Sequence, residues 1–132
     1  MPRAGALLPL SREHHTSLVV ARAARKAADD KGSAVYSALV RIEEHWHAVL
    51  AAHFAQEEQL IHLAADTLDP ESVARIFTEH AELRTLACGP CALEPALRLR
   101  RFADLLAAHV RYEERVLFPQ LQAHPCIAAK AT

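Results

Sequence analysis

One pattern, present twice, constrains this chain more than any other. His53-Phe54-Ala55-Gln56-Glu57-Glu58 is echoed by His109-Val110-Arg111-Tyr112-Glu113-Glu114. Each copy reads His, an apolar or aromatic residue, two variable residues and a Glu pair. An apolar run follows each: Leu60-Ile61 in the first, Val116-Leu117-Phe118 in the second. On an α-helix, a His and a Glu four residues apart stand about 40° from each other, one turn along the same face. An imidazole and a carboxylate stacked this way can grip one cation, or one can ligate while the other bridges to a second. Two such helices facing each other form the start of a dinuclear metal site in a bundle core.

The rest of the chain supplies that bundle. Its 132 residues are the size of one domain with one real core. The sequence is 52% hydrophobic but only 5% aromatic, the excess being Ala and Leu, and it has three Gly; this favours helices over sheets. The periodicity predicts four amphipathic helices. An irregular lead-in (residues 1–10) precedes a first helix capped by Ser11 and running to about Asp29, with Leu10, His14, Leu18, Ala21 and Ala28 inward. Asp29 to Ser33 form a turn. The second helix runs from about Ser33 to Ala65, its stripe including Ile42, Trp46, Leu50, His53, Glu57, Leu60 and Ile61. Asp69-Pro70-Glu71 starts the third, which carries Ile76, Phe77, His80 and Leu83 inward and stops at Cys88-Gly89-Pro90-Cys91. The fourth begins near Glu94-Pro95, with Phe102, Leu105, Leu106, His109, Glu113, Val116 and Leu117 inward. Pro119 ends or kinks it, and residues 123–132 form a tail. Short connections between such helices predict an all-α, up-down-up-down antiparallel four-helix bundle in a single domain.

Each predicted helix places one His on its inner stripe: His14, His53, His80 and His109. The second and fourth add Glu57 and Glu113, whereas Glu58 is rotated about 100° toward solvent. An inward His alone is more often a hydrogen-bonded core residue than a ligand, and a lone His-x-x-x-Glu is often a surface pair. Six such groups on four core-facing stripes are different, because burying them without a counter-charge costs several kcal/mol, and cations remove that cost. Imidazole and carboxylate donors without thiolate suit iron, manganese or zinc. The His-Glu-x-x-His signature of zinc proteases is absent.

These residues resemble the hemerythrin-like, or HHE cation-binding, domains. The resemblance runs from Ser11-Arg12-Glu13-His14-His15 through Glu79-His80 to His109 and Leu117-Phe118-Pro119, and the repeated His-Phe/Val-x-x-Glu-Glu pattern is its most specific mark. It implies a four-helix bundle holding two iron ions with an oxo or hydroxo bridge, zinc or manganese being substitutes. In this chain His14, His53, His80 and His109 would be terminal ligands and Glu57 and Glu113 the bridges. Members of the family differ in whether the acid follows its His by four or five residues, so Glu114 stands as an alternative to Glu113. Oxygen-carrying members use five His, two of them one turn apart on the third helix. Here Arg84 and Ile76 flank His80 at that spacing. Arg keeps its proton and does not ligate. His45, on the flank of the second stripe, is a fifth candidate imidazole. A pairing of Arg84 with Glu58 is expected to support the site from outside.

Two equal donor sets leave each iron able to take an outside ligand. This favours binding, sensing or reaction with dioxygen, peroxide or nitric oxide over simple oxygen carriage. A di-iron enzyme reducing peroxide or nitric oxide, and a zinc-loaded or metal-free helical interaction module, remain as alternatives, so enzymatic turnover is left open. A formal net charge of −1 gives no electrostatic case for nucleic acid or an anionic membrane, and no apolar stretch approaches a membrane span. Three Cys form no disulfide framework, which makes a cytoplasmic location the default. Cys126 is available to pair between chains, so a homodimer is one assembly the sequence allows. Cys88-Gly89-Pro90-Cys91 matches the thioredoxin tetrapeptide without its βαβ setting and reads as a turn. His15, His47, His62 and His124 are expected in solvent, as is the basic Arg98-Leu99-Arg100-Arg101 segment. Tyr112 is placed to donate to an oxygen at the site or to pack at its rim.

Overall fold

A computed structural model of the protein describes Arg3 and residues 5–128. Among them there is no strand. Four long helical rods form a bundle. The first is α1 (Leu7–Asp30). The second joins α2 (Ser33–His45), a π turn (Trp46–Leu50) and α3 (Ala51–Leu63). The third is α4 (Pro70–Cys88). The fourth joins α5 (Pro95–Tyr112), a second π turn (Glu113–Leu117) and α6 (Phe118–Ala123), and a short α7 (Pro125–Ala128) follows.

The helix starts predicted at Asp69-Pro70 and Glu94-Pro95 are present. The Asp69 carboxylate accepts from the Ser72 N–H, and Glu94 accepts from the N–H groups of Ala96 and Leu97. Each Pro sits where the N–H has no helical partner. Lys31 (φ 61°) and Gly32 (φ 65°) make the first turn, with the left-handed backbone that a reversal between helices requires. At the C-terminus of α4 the guanidinium of Arg98 donates to the carbonyls of Leu86, Thr85 and Gly89. Arg98 therefore caps a helix end and is not simply a solvated charge.

The expected lead-in and tail are corrected. The first helix starts at Leu7, not Ser11, because Leu7 and Leu10 are buried one turn apart and Pro9 falls in the first turn, where it removes no needed hydrogen bond. Ser11, the expected cap, instead donates to Glu114 Oε2 at 2.7 Å. At the other end Ile127 is buried, so α7 packs on the core. Pro119 does not end the fourth rod. It follows the π turn, whose changed hydrogen-bond register leaves room for a residue without an N–H. The side chain of Cys126 lies outside the described residues. Cys88 and Cys91 are free and half-buried.

Two apolar clusters fill the interior. One contains Val20, Ala24, Ile42, Leu50, Leu83, Phe102 and Leu106. The other contains Leu7, Leu10, Leu60, Ile61, Ile76, Leu117 and Phe118. Along the first and third rods the Leu10–Ile76 cluster comes before the inward His; along the second and fourth it comes after. A polar layer built from all four rods is thereby sealed between two apolar plugs.

Candidate metal centre

That layer holds the six residues singled out from the sequence. His53, Glu57, His109 and Glu113 are at most 1% exposed, and His14 and His80 are 4% exposed. They form two groups, His14-His53-Glu57-Glu113 and Glu57-His80-His109-Glu113, each with donor atoms within 4.8 Å of one another. The imidazoles enter through Nε2. Glu57 turns Oε2 to His53 (2.9 Å) and His14 (3.5 Å), and Oε1 to His80 (3.1 Å). Glu113 turns Oε1 to His14 (2.8 Å), and Oε2 to His109 (2.9 Å) and His80 (3.5 Å). Each carboxylate thus presents one oxygen to one His pair and the other oxygen to the second pair, the disposition a bridging carboxylate needs.

The spacing fits cations. Donors about 2.1 Å from one ion and 90–109° apart are separated by about 3.0–3.4 Å, and the Nε2–carboxylate distances here, 2.8–3.5 Å, bracket that range. Hydrogen bonding fits less well. Neither oxygen of Glu57, nor Nε2 of His53 or His109, makes a hydrogen bond. A fully buried carboxylate without donors is costly, and a cation lying between these atoms satisfies them together.

Behind the imidazoles stands a ring of four more carboxylates. Glu13 accepts from His53 Nδ1 at 2.9 Å, Glu58 from His80 Nδ1 at 2.9 Å, Glu79 from His109 Nδ1 at 2.7 Å, and Glu114 from His14 Nδ1 at 2.7 Å. The first rod supports the second, the second the third, the third the fourth, and the fourth the first. An ionised carboxylate only accepts, so Nδ1 carries a proton in every case, and an imidazole that gives up its other proton has its Nε2 lone pair directed to the interior. Sequence reasoning missed this ring as a set. Its signal lies in four dipeptides, Glu13-His14, Glu57-Glu58, Glu79-His80 and Glu113-Glu114, in which the acid beside a ligand candidate is rotated about 100° toward the next helix.

The charges are tightly linked. Burial would lower the pKa of His14, but the nearby carboxylates of Glu113, Glu114 and Glu57 outweigh it and push it up to about 11. His80 likewise overcomes burial through Glu113, Glu57 and Glu58, reaching about 10. His53 and His109 are raised against burial by Glu57 and by Glu113 respectively. Burial would raise Glu113, yet His109, His14 and His80 hold its carboxyl well below the usual range. Burial works against ionisation of Glu114 as well, but His14, Ser11 and Arg3 hold it at about 2.

Two aromatic rings wall the layer. Phe54 stacks on His80 with centroids 3.8 Å apart, and Phe118 on His14 at 5.1 Å. Neither was on a predicted inner stripe. Several neighbours also differ from expectation. Glu114 backs His14 and belongs to neither donor group, while Glu113 belongs to both. His45 is buried with Nε2 2.9 Å from Ser17 Oγ, outside both donor groups. Glu58 is engaged by His80, and no Arg84–Glu58 pair occurs among the described residues. Tyr112 donates to Ser72 Oγ at 2.9 Å, and the Arg75 guanidinium lies 3.7 Å from its ring centroid. His124 is buried beside Asp66 rather than solvated. His15, His47 and His62 are exposed.

Comparison with protein-family models, with curated proteins and with solved structures gives no match. Among the described residues no helix is long and apolar enough to cross a membrane. Buried His and Glu groups suited to a metal ion are therefore the feature on which a functional reading rests.

Proposed function

We propose that this chain is a hemerythrin-like protein that holds two iron ions and binds, senses or reacts with dioxygen, peroxide or nitric oxide. His14 and His53 would hold one ion and His80 and His109 the other, with Glu57 and Glu113 bridging and an oxo or hydroxo group completing the pair. The observation that carries the reading is Glu57: fully buried, without a hydrogen bond, with one oxygen turned to each His pair. The alternating order of the two apolar clusters along the rods supports an up-down-up-down antiparallel arrangement.

When bound, the metal pair supplies the redox and Lewis-acid chemistry that acts on a small oxidant. The protein's part is positional. Four outer carboxylates hold the imidazoles in one tautomer, two inner carboxylates fix the separation of the ions, and Phe54 and Phe118 exclude water. Two donor groups of identical composition favour reaction or sensing over one-sided oxygen carriage, because neither ion is saturated by protein.

The test is metal content together with absorption spectra of aerobic and anaerobic protein. Two irons per chain are expected, with a charge-transfer band in the near ultraviolet of the aerobic protein that disappears in Glu57→Ala. Repeated turnover of peroxide or nitric oxide with a reductant would establish the enzyme. Absence of bound iron, with folding indifferent to His53→Ala, would leave only an interaction module.

A further inference from the structure

A cleft of about 560 Å³ opens between the second and third rods, and one of its walls is His80 itself. That volume is of ligand-site size. The aromatic side chains of Trp46, Phe54 and Phe77 line it, and Phe54 is the ring stacked on His80. Trp46 belongs to the first π turn, a helix irregularity often found at binding sites. Two opposite charges complete the wall. Glu58 has its Oε2 taken by His80 Nδ1 at 2.9 Å. Arg84 is exposed, and its guanidinium makes no hydrogen bond or ion pair among the described residues. The cleft therefore offers the accessible parts of three aromatic residues, of which Trp46 and Phe54 are mostly buried, and one guanidinium without an ion-pair partner among the described residues.

The opposite half of the centre is finished differently. His14 carries the same dressing, a stacked Phe118 and the outer carboxylate Glu114. There the chain closes the space with Arg3, whose guanidinium lies 5.7 Å from the Phe118 centroid and whose Nε donates to Glu114 at 3.1 Å. On the His80 half the corresponding room is open.

We infer that this cleft binds a small planar aromatic carboxylate, with its ring against Trp46, Phe54 and Phe77 and its carboxylate on Arg84. A ligand seated there touches the outer edge of an imidazole at the centre without displacing it. The site needs no metal, so its test is separable from the di-iron reading.

Trp46 is the only tryptophan in the chain and lines the cleft, so its fluorescence reports occupancy. Benzoate titrated into the 132-residue chain, metal-free and metal-loaded, is expected to change that emission saturably. Arg84→Ala should weaken binding about tenfold or more, the range expected for losing a charge-assisted contact. Arg84→Lys should recover part of the loss, and Phe77→Ala should weaken binding with the charge intact. Neutral benzamide and non-planar cyclohexanecarboxylate should bind more weakly than benzoate. Arg100→Ala, at an exposed arginine paired with Asp29 elsewhere, should leave the affinity unchanged. Purely linear quenching, equal affinity in Arg84→Ala, or equal binding of benzamide would overturn the proposal.

Discussion

Glu114 Oε2 lies 2.7 Å from His14 Nδ1, across the ring from the Nε2 that meets Glu113 at 2.8 Å. Adjacent acids on one rod thus grip opposite sides of a single imidazole. The fourth rod widens into its π turn at these residues, and Glu57-Glu58 repeats the division of labour on His80 from within regular α3, without a π turn. What matters is the rotation of about 100° between neighbouring helical residues, which aims one acid inward and the other across the groove.

The outer carboxylates set metal affinity. Glu114→Ala and Glu58→Ala are each expected to lower it about 10–100-fold while the chain stays folded, because the freed imidazole loses its orientation and tautomer. Competition against a chromophoric chelator measures this. Gln at either position retains an acceptor and should lose less. An affinity unchanged in all four single variants, at Glu13, Glu58, Glu79 and Glu114, would make the ring incidental.

Metal removal should loosen the whole bundle, since all four rods meet at the centre. An ion present at about a thousand times its dissociation constant adds about 4 kcal/mol to the folded state. For a domain of this size that corresponds to roughly 10–20 °C in melting temperature. Calorimetry before and after chelation checks it, with reloading to restore the shift. Equal melting temperatures would mean that the buried cluster binds no ion tightly.

The six inner residues were legible because a charged or polar group on an otherwise apolar helical stripe has few explanations, and Glu57 and Glu113 stand in the middle of such stripes. Periodicity assumes an unbroken 3.6-residue repeat, and that assumption hid the rest. The π turn at Glu113–Leu117 advances the phase, so Phe118 is fully buried while Val116 is only half-buried. Phe54 lies off the stripe of His53 yet is buried, because it fills the seam against the third rod beside His80. Ser11 read as a cap because its hydroxyl suits one, but a tertiary acceptor, Glu114, took that hydroxyl instead. Partners between rods cannot be read from one helix at a time. Arg84–Glu58 was therefore a reasonable pairing that lost to His80.

His45 gives the fold an acid-sensitive joint. It is buried between the first two rods against Ser17, and burial, then the charges of Arg41 and His53, lower its pKa below 6.5. Glu13 opposes this only in part. A depressed histidine binds its proton more readily in the unfolded chain, so stability declines as pH falls through 6.5 toward the folded value. In metal-free protein, His45→Gln should narrow the stability gap between pH 7.5 and 5.5 relative to the parent, measured by urea midpoints. A gap of the same size in both would show that His45 titrates normally.

Metal uptake should release protons. In the metal-free chain His14 and His80 titrate at about 11 and about 10, so both are charged at pH 7, and His53 and His109 are shifted the same way. A ligating imidazole must offer a bare Nε2, and the outer carboxylates retain the Nδ1 proton, so each Nε2 proton leaves on binding. The raised His14 pKa stabilises the metal-free fold fully below 6.5, and that contribution is lost as pH rises through about 11. The same rise removes the protons that compete with the cation. The metal-free chain should therefore weaken on the alkaline side while the apparent metal affinity climbs, by about tenfold per pH unit for each proton displaced. The gap in melting temperature between loaded and empty protein should widen with pH. Titration calorimetry in two buffers of different ionisation enthalpy counts the protons directly. Heats independent of buffer would show that the imidazoles are already neutral, and that the inner carboxylates are balanced in some other way.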